Sequence, residues 1–175
     1  MTTRKDARMD HISETSVHSP DRSPLLIDQI LSLQQNRFPN LFVDRVEDHR
    51  PGEMAACRKN FTYNEWFFPL HFPDEPIVPG FVLLETMTQA LLVAILSDKS
   101  LWGSKTNFLA IKACRFFAKV SPGDATISTA RVERSRRGIV DGSVEMTVED
   151  QKVASCSIQV GIPAQMPRLP REGDS

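Results

Sequence analysis

The stretch Gly80-Phe81-Val82-Leu83-Leu84-Glu85-Thr86-Met87-Thr88-Gln89-Ala90-Leu91-Leu92-Val93-Ala94-Ile95-Leu96 decides the fold of this chain. It is rich in good helix formers. Its apolar side chains at Val82, Leu83, Leu84, Met87, Leu91, Leu92, Val93, Ile95 and Leu96 spread around nearly the whole circumference of a helix. A helix apolar on every side has to be covered on every side, so it is predicted to run through the middle of the domain. Glu85, Thr86, Thr88 and Gln89 interrupt it and argue against a membrane span.

Upstream lies Asn64 to Pro79, a proline-bounded aromatic loop with one histidine, His71. A carboxyl on an apolar helix loses hydration, which raises its pKa, so Glu85 is a candidate general acid and His71 the natural base. The two are 14 residues apart, and no helix or strand spacing joins them. The fold or a second chain must do so. At Pro79-Gly80 the first N–H groups of the helix lack internal partners and carry the positive end of its dipole. Gly80, with no Cβ, lets a thioester carbonyl approach its amide, although it also serves as an ordinary helix start. Gln89 sits one turn beyond Glu85 on the same face, placed to orient that carboxyl or a bound water.

Further out, Ser23-Pro24 is predicted to open a short helix through Leu33. Leu41 to His49 and Glu53 to Tyr63 read as strands around a Pro51-Gly52 turn, with His49 a surface residue at a strand end. After the central helix come Phe108 to Val120, Ala125 to Glu133, Ile139 to Val148 and Lys152 to Gly161. In the last, Ala154, Cys156, Ile158 and Val160 alternate with Ser155, Ser157 and Gln159. Two strands, a buried helix and then a strand meander imply an α+β domain whose curved antiparallel sheet wraps the helix. Residues 1–23 and 163–175 are predicted as flexible tails around a domain spanning 24–162.

The 175 residues, 41% apolar and 25% charged, suit one globular domain. A net charge of -1 without a long basic stripe gives no support to nucleic-acid binding. Cys57, Cys114 and Cys156 are scattered, without metal-ligand spacing, and are expected as buried thiols in a reducing compartment. With no apolar leader at the N-terminus, a cytoplasmic protein without membrane partners is expected. His71, Asp74, Glu75 and Glu85 lack the local spacing of a metal site, so none is expected. Lys112, Arg115, Lys119, Arg131, Arg134, Arg136 and Arg137 suit either a docking patch for an acidic partner or a charged strand edge that discourages pairing.

The run Asn64, Glu65, Phe67, Phe68, His71, Phe72, Pro73, Pro76, Pro79, Gly80, Glu85 and Gln89 resembles the signature of the hotdog-fold (3R)-3-hydroxyacyl-[acyl-carrier-protein] dehydratases of the FabZ type. Arg37-Phe38-Pro39, Val43-Asp44-Arg45, Arg115-Phe116 and Pro122-Gly123-Asp124 extend the likeness over roughly residues 24 to 162. The resemblance implies a cofactor-free lyase of fatty acid synthesis that forms trans-2-enoyl thioesters on acyl carrier protein. It implies that His71 removes the α-proton, Glu85 protonates the departing hydroxyl and the Gly80 amide holds the thioester carbonyl. It also implies a homodimer, often assembled into a trimer of dimers, whose active sites take His from one subunit and Glu from the other. The acyl tunnel is expected to be lined by Phe67, Phe68 and Phe108, with carrier docking at Lys112, Arg115, Lys119, Arg136 and Arg137.

The sequence departs from the family at Leu70, where glycine is usual, and at Thr86 and Thr88, where alanine is typical. Phe117-Ala118-Lys119 replaces a more basic, proline-containing run. Leu70 is expected to add bulk beside His71. These departures keep open a dehydratase dedicated to a polyketide or other specialised acyl group, and a hotdog protein that binds acyl thioesters without turning them over. A thioesterase of the same fold fits the His71 and Glu85 pattern less well.

Overall fold

A computed structural model describes residues 24–167. Strands β1 (Arg45–Arg50) and β2 (Met54–Asn60) follow a short helix α1 (Ile27–Leu33), and helix α2 (Gly80–Leu96) comes next. Strands β3 (Asn107–Phe116), β4 (Ala125–Arg136), β5 (Ile139–Val148) and β6 (Gln151–Gly161) complete the chain. They form one antiparallel sheet in the order β1-β2-β4-β5-β6-β3, curved around α2.

The predicted central helix runs Gly80–Leu96, with an unbroken buried run from Thr86 to Leu96. Small residues on the sheet let it approach closely: Thr126, Ser128 and Ala130 on β4 are buried beneath it. At Gly142 on β5 a Cβ would stand 2.4 Å from Leu91 Cδ1. The tip of the β1–β2 turn, Gly52 at φ +73°, donates its N–H to Ala94 O of α2 at 2.9 Å. Thr86 and Thr88 each return their hydroxyl to the carbonyl four residues earlier, Val82 and Leu84, so both are satisfied within the helix.

The strands after the helix are not a simple meander. β3 pairs only with β6, at the far edge of the sheet. The segment after β3 passes the N-terminal end of α2, where Val120 O accepts from Val78 N–H, and Asp124 O accepts from Phe61 N–H. That path delivers β4 beside β2 instead of beside β3.

Helix α1 begins at Ile27, later than Ser23-Pro24, because Leu25 is used in a two-bond antiparallel bridge with Val46. The first strand starts at Arg45 because the residues before it are tied to α2, as described below. His49 is not a surface residue. It pairs with Ala55 in the β1–β2 ladder and is only 4% exposed, in a wall with Leu33 and Trp102.

Pro163–Gln165 form a 3-10 turn against the β4–β5 hairpin. There Gly138, at φ +74°, leaves no room for a Cβ, which would lie 2.7 Å from Met166 N. The remaining predicted tail segments, 1–23 and 168–175, lie outside the described residues. Cys57 and Cys156 are buried and Cys114 is half-buried; burial pushes all three thiols up, Cys156 to about 12.

Candidate active site

Glu85 lies on the second turn of α2, half-buried, facing the segment that links α1 to β1. Three amides converge on its Oε1. Gln89 Nε2 donates at 2.8 Å, Asn36 Nδ2 at 3.3 Å and Asn40 Nδ2 at 3.5 Å. An amide N–H cannot receive a proton, so Oε1 is held as an acceptor and any carboxyl proton resides on Oε2. Loss of hydration raises the Glu85 pKa, and the bonds from Gln89 and Asn40 offset part of that rise.

Gln89 does more than touch Glu85. Its side chain is 0% exposed, accepts from Phe42 N–H at 2.8 Å and donates to Asn40 O at 2.7 Å. It therefore fastens segment 40–42 to the helix and fixes the carboxyl with the same amide. Arg37 holds the start of that segment by donating to Leu31 O and Gln34 O at the end of α1. Asn36 and Asn40 were not among the candidates read from the sequence. Their signal was the polar content of Gln34 to Asn40 beside the Arg37-Phe38-Pro39 element, but only the fold carries them to Glu85.

His71 sits in a loop built by the surrounding motif. Glu65 Oε1 meets the buried Lys59 Nζ at 2.6 Å, and Phe67 and Phe68 anchor in the core, packed edge to face. Ile77 brackets His71, donating its N–H to His71 O at 2.9 Å, while Ile77 O lies 3.1 Å from Nδ1. A carbonyl only accepts, so Nδ1 carries the hydrogen and Nε2 keeps a free lone pair. The ring stacks on Phe72, with centroids 4.2 Å apart, across a cis peptide bond. Leu70 is 69% exposed, so its bulk points to solvent, away from the buried loop anchors.

A pocket of about 360 Å³ opens beside His71, lined by Gly80, Leu83, Phe116, Phe117 and Lys119 among others. Helix α2 starts on Pro79 with no side-chain cap, so the Gly80 amide is free of one at the pocket wall. A Cβ on Gly80 would meet the Phe116 ring at 3.2 Å. Glu85 is not part of this pocket, and no hydrogen bond joins it to His71 within the described residues. One chain brings Gly80 to His71, and Gln89 to Glu85, but does not close the two halves.

The aromatic residues expected on the tunnel wall are divided. Phe67 and Phe68 are 1% exposed in the core, whereas Phe108 is exposed on β3 and Phe116 and Phe117 line the His71 pocket instead. The basic candidates are divided too. Lys119 stands at the His71 pocket and pairs with Glu75. Lys112 is bound to Asp141 at 2.5 Å in a cluster with Arg134 and Gln159. Arg115 lines a separate groove with Arg131 on the sheet. Arg136 and Arg137 lie at the β4–β5 hairpin, about 35 Å of strand from the Ala125 end that adjoins the site. Among the described residues no three His, Cys, Asp or Glu side chains gather to hold a metal ion.

Comparison with known proteins places the chain in a family. Residues 20–157 match the FabA-like domain family. The protein named 3-hydroxyacyl-[acyl-carrier-protein] dehydratase FabZ from Polynucleobacter asymbioticus is 38% identical over 142 residues, covering 80% of this chain and 95% of the relative. The protein of the same name from Chloroflexus aggregans is 40% identical over 127 residues, covering 73% and 88%. Among solved structures, the dehydratase heterocomplex ApeI:P from Xenorhabdus doucetiae superposes with a TM-score of 0.67 at 14% identity, over 77% of this chain and 90% of that one, a likeness of fold. With an α+β hotdog sheet around one helix, and identity of this extent along nearly the full length of its relatives, the chain belongs to the FabA-like family as a FabZ-type dehydratase.

Proposed function

We propose that His71 and Glu85 carry out the dehydration of (3R)-3-hydroxyacyl-acyl carrier protein as base and acid. Membership of the family makes the chain a cofactor-free hydro-lyase of fatty acid biosynthesis, its acyl group carried on the phosphopantetheine arm of acyl carrier protein. The observation that carries the assignment of roles is the convergence of three amides on Glu85 Oε1. It leaves Oε2 as the oxygen that takes the carboxyl proton, and loss of hydration raises the Glu85 pKa.

The chemistry balances on these two side chains. His71 Nε2 takes the α-proton, and the electron pair of that C–H bond becomes the Cα=Cβ double bond. The Cβ–O bond breaks, and Glu85 Oε2 protonates the departing hydroxyl to water. The Gly80 amide, backed by the dipole of α2, stabilises negative charge on the thioester carbonyl while the proton leaves. The proton on His71 then returns to Glu85 through solvent. Lys119, at the pocket mouth, is the group best placed to meet the phosphate of the arm.

The site is assembled from two protomers. In one chain the His71 pocket lacks Glu85, and β3 is a ten-residue edge strand with Phe108, Ile111 and Phe116 exposed. A long apolar edge of this kind calls for pairing. Joining β3 to its copy continues the sheet and supplies a second Glu85. Among the described residues no helix is long and apolar enough to cross a membrane.

Mass spectrometry of 3-hydroxyacyl-acyl carrier protein tests the roles. Wild type removes one water, while His71→Ala and Glu85→Gln fall by about a hundred to ten thousand fold with their folds intact. Near-normal turnover by either variant would overturn the assignment.

A further inference from the structure

Among the described residues Lys59 is the only lysine or arginine that is buried, at 7% exposed. A lysine is rarely buried without partners for its charge. It projects from β2, which lies inside the sheet between β1 and β4, and its carbonyl accepts from Thr126 Oγ1 at 3.4 Å. The ammonium reaches Glu65 Oε1 at 2.6 Å and Asp44 Oδ1 at 3.5 Å. Three N–H donors on one nitrogen allow both bonds at once.

Each carboxylate begins a path to one half of the acid–base pair. Glu65 O accepts from Phe68 N–H at 3.3 Å, and Phe68 O accepts from His71 N–H at 3.4 Å, so two backbone bonds lead from Glu65 to the base. Asp44 ends the segment that clamps the acid. Its N–H donates to Arg58 O at 2.9 Å and its Oδ2 accepts from Asn60 N–H at 2.8 Å. Two residues earlier Phe42 N–H donates to Gln89, and Asn40 Nδ2 donates to Glu85 itself. Residues 40–44 are thus fastened to α2 at one end and to β2 at the other.

We propose that Lys59 is a positioning residue that sets the base loop through Glu65 and the clamp on the acid through Asp44. The inference rests on the dehydratase reading above. Lys59 touches neither reacting group. Reacting groups have to be held within about 0.5 Å of their productive geometry, and one ammonium on a fixed strand supplies a common reference for two irregular segments. In a site shared between protomers, His71 and Glu85 of one chain serve different sites, so each Lys59 steadies one half of both.

The test uses water loss from 3-hydroxyacyl-acyl carrier protein, followed by mass spectrometry. Lys59→Met keeps the length of the side chain without its charge. It is expected to lower kcat by about a hundredfold, with KM little changed. Mixed dimers of His71→Ala and Glu85→Gln chains then separate the two paths, because the working site takes its base from one chain and its acid from the other. Glu65→Gln is expected to lower the restored activity more on the chain that supplies His71, and Asp44→Asn more on the chain that supplies Glu85. A general loss of stability acts alike in both placements. Wild-type kcat in Lys59→Met, or equal losses from the two placements, overturns the role of Lys59 and leaves the dehydratase intact. Should Lys59→Met not fold, the placements decide alone. No restored activity in the mixed dimers without further substitutions overturns the shared site, and the inference with it.

Discussion

Replacing Gln89 by methionine keeps the length of the side chain and its helix propensity but removes the amide. Three bonds go with it: those from Phe42 N–H, to Asn40 O and to Glu85 Oε1. Phe42 is itself buried, so its N–H is left unpaired away from water, at a cost of about 1–3 kcal/mol. Asn40 is exposed and its carbonyl rehydrates, so that bond contributes about 0.5–1 kcal/mol. Greater apolar burial by methionine returns up to about 1 kcal/mol. The net expectation is a loss of about 0.5–4 kcal/mol, or roughly 1–16 °C in Tm for a chain of this size. The urea midpoint, read at matched protomer concentration, measures it.

The catalytic effect is expected to be larger. Gln89 is the shortest of the three donors on Glu85, and without it the carboxyl turns on the longer bonds to Asn36 and Asn40. Misplacement of a reacting group by about 1 Å costs about a hundredfold in rate. A fall in kcat of that order, with KM little changed, is the expected result. A variant with the wild-type midpoint and wild-type turnover would refute the claim that one buried amide holds both the 40–42 segment and the acid.

Three further outcomes are expected. Gly142→Ala drives a Cβ to 2.4 Å from Leu91 Cδ1, which forces α2 off the sheet and lowers stability by about 1–3 kcal/mol in a denaturant titration. Ile111→Lys puts a charge on the exposed β3 edge; light scattering is expected to show monomer, and turnover to be lost with it. The Glu85 carboxyl holds its proton to higher pH in the fold than in the unfolded chain. Its contribution to stability is therefore complete below the ordinary value of 4.5 and is lost as pH rises through the raised value. Glu85→Gln is expected to flatten the stability profile across that window, and kcat of wild type to fall as pH rises through it.

Much of the fold was legible because its strongest constraint was local. An all-round apolar helix leaves little choice but a surrounding sheet, and the alternation of Ala154, Cys156, Ile158 and Val160 fixed which face of β6 is covered. The place of β3 was not legible, since strand order depends on a crossover past the start of α2 that leaves no periodic trace. His49 was misjudged because its burial comes from α1 and the 97–102 segment, distant in sequence.

In the candidate site, Glu85 and Gln89 were legible from a spacing of four on one helix, and the structure joins them at 2.8 Å. Asn36 and Asn40, 49 and 45 residues away from Glu85, were not. Phe67 and Phe68 carried the chemistry of a tunnel wall and the chemistry of a core equally well, and periodicity does not separate the two in an irregular loop.

The most direct test of the His71–Glu85 pair is complementation between two inactive chains. His71→Ala and Glu85→Gln, each inactive alone, are mixed by co-expression so that mixed dimers form. Each mixed dimer then contains one site with both residues intact, and random pairing is expected to restore about a quarter of wild-type water loss from 3-hydroxyacyl-acyl carrier protein. No recovery from folded, mixed dimers would contradict a site in which one protomer supplies the base and the other the acid.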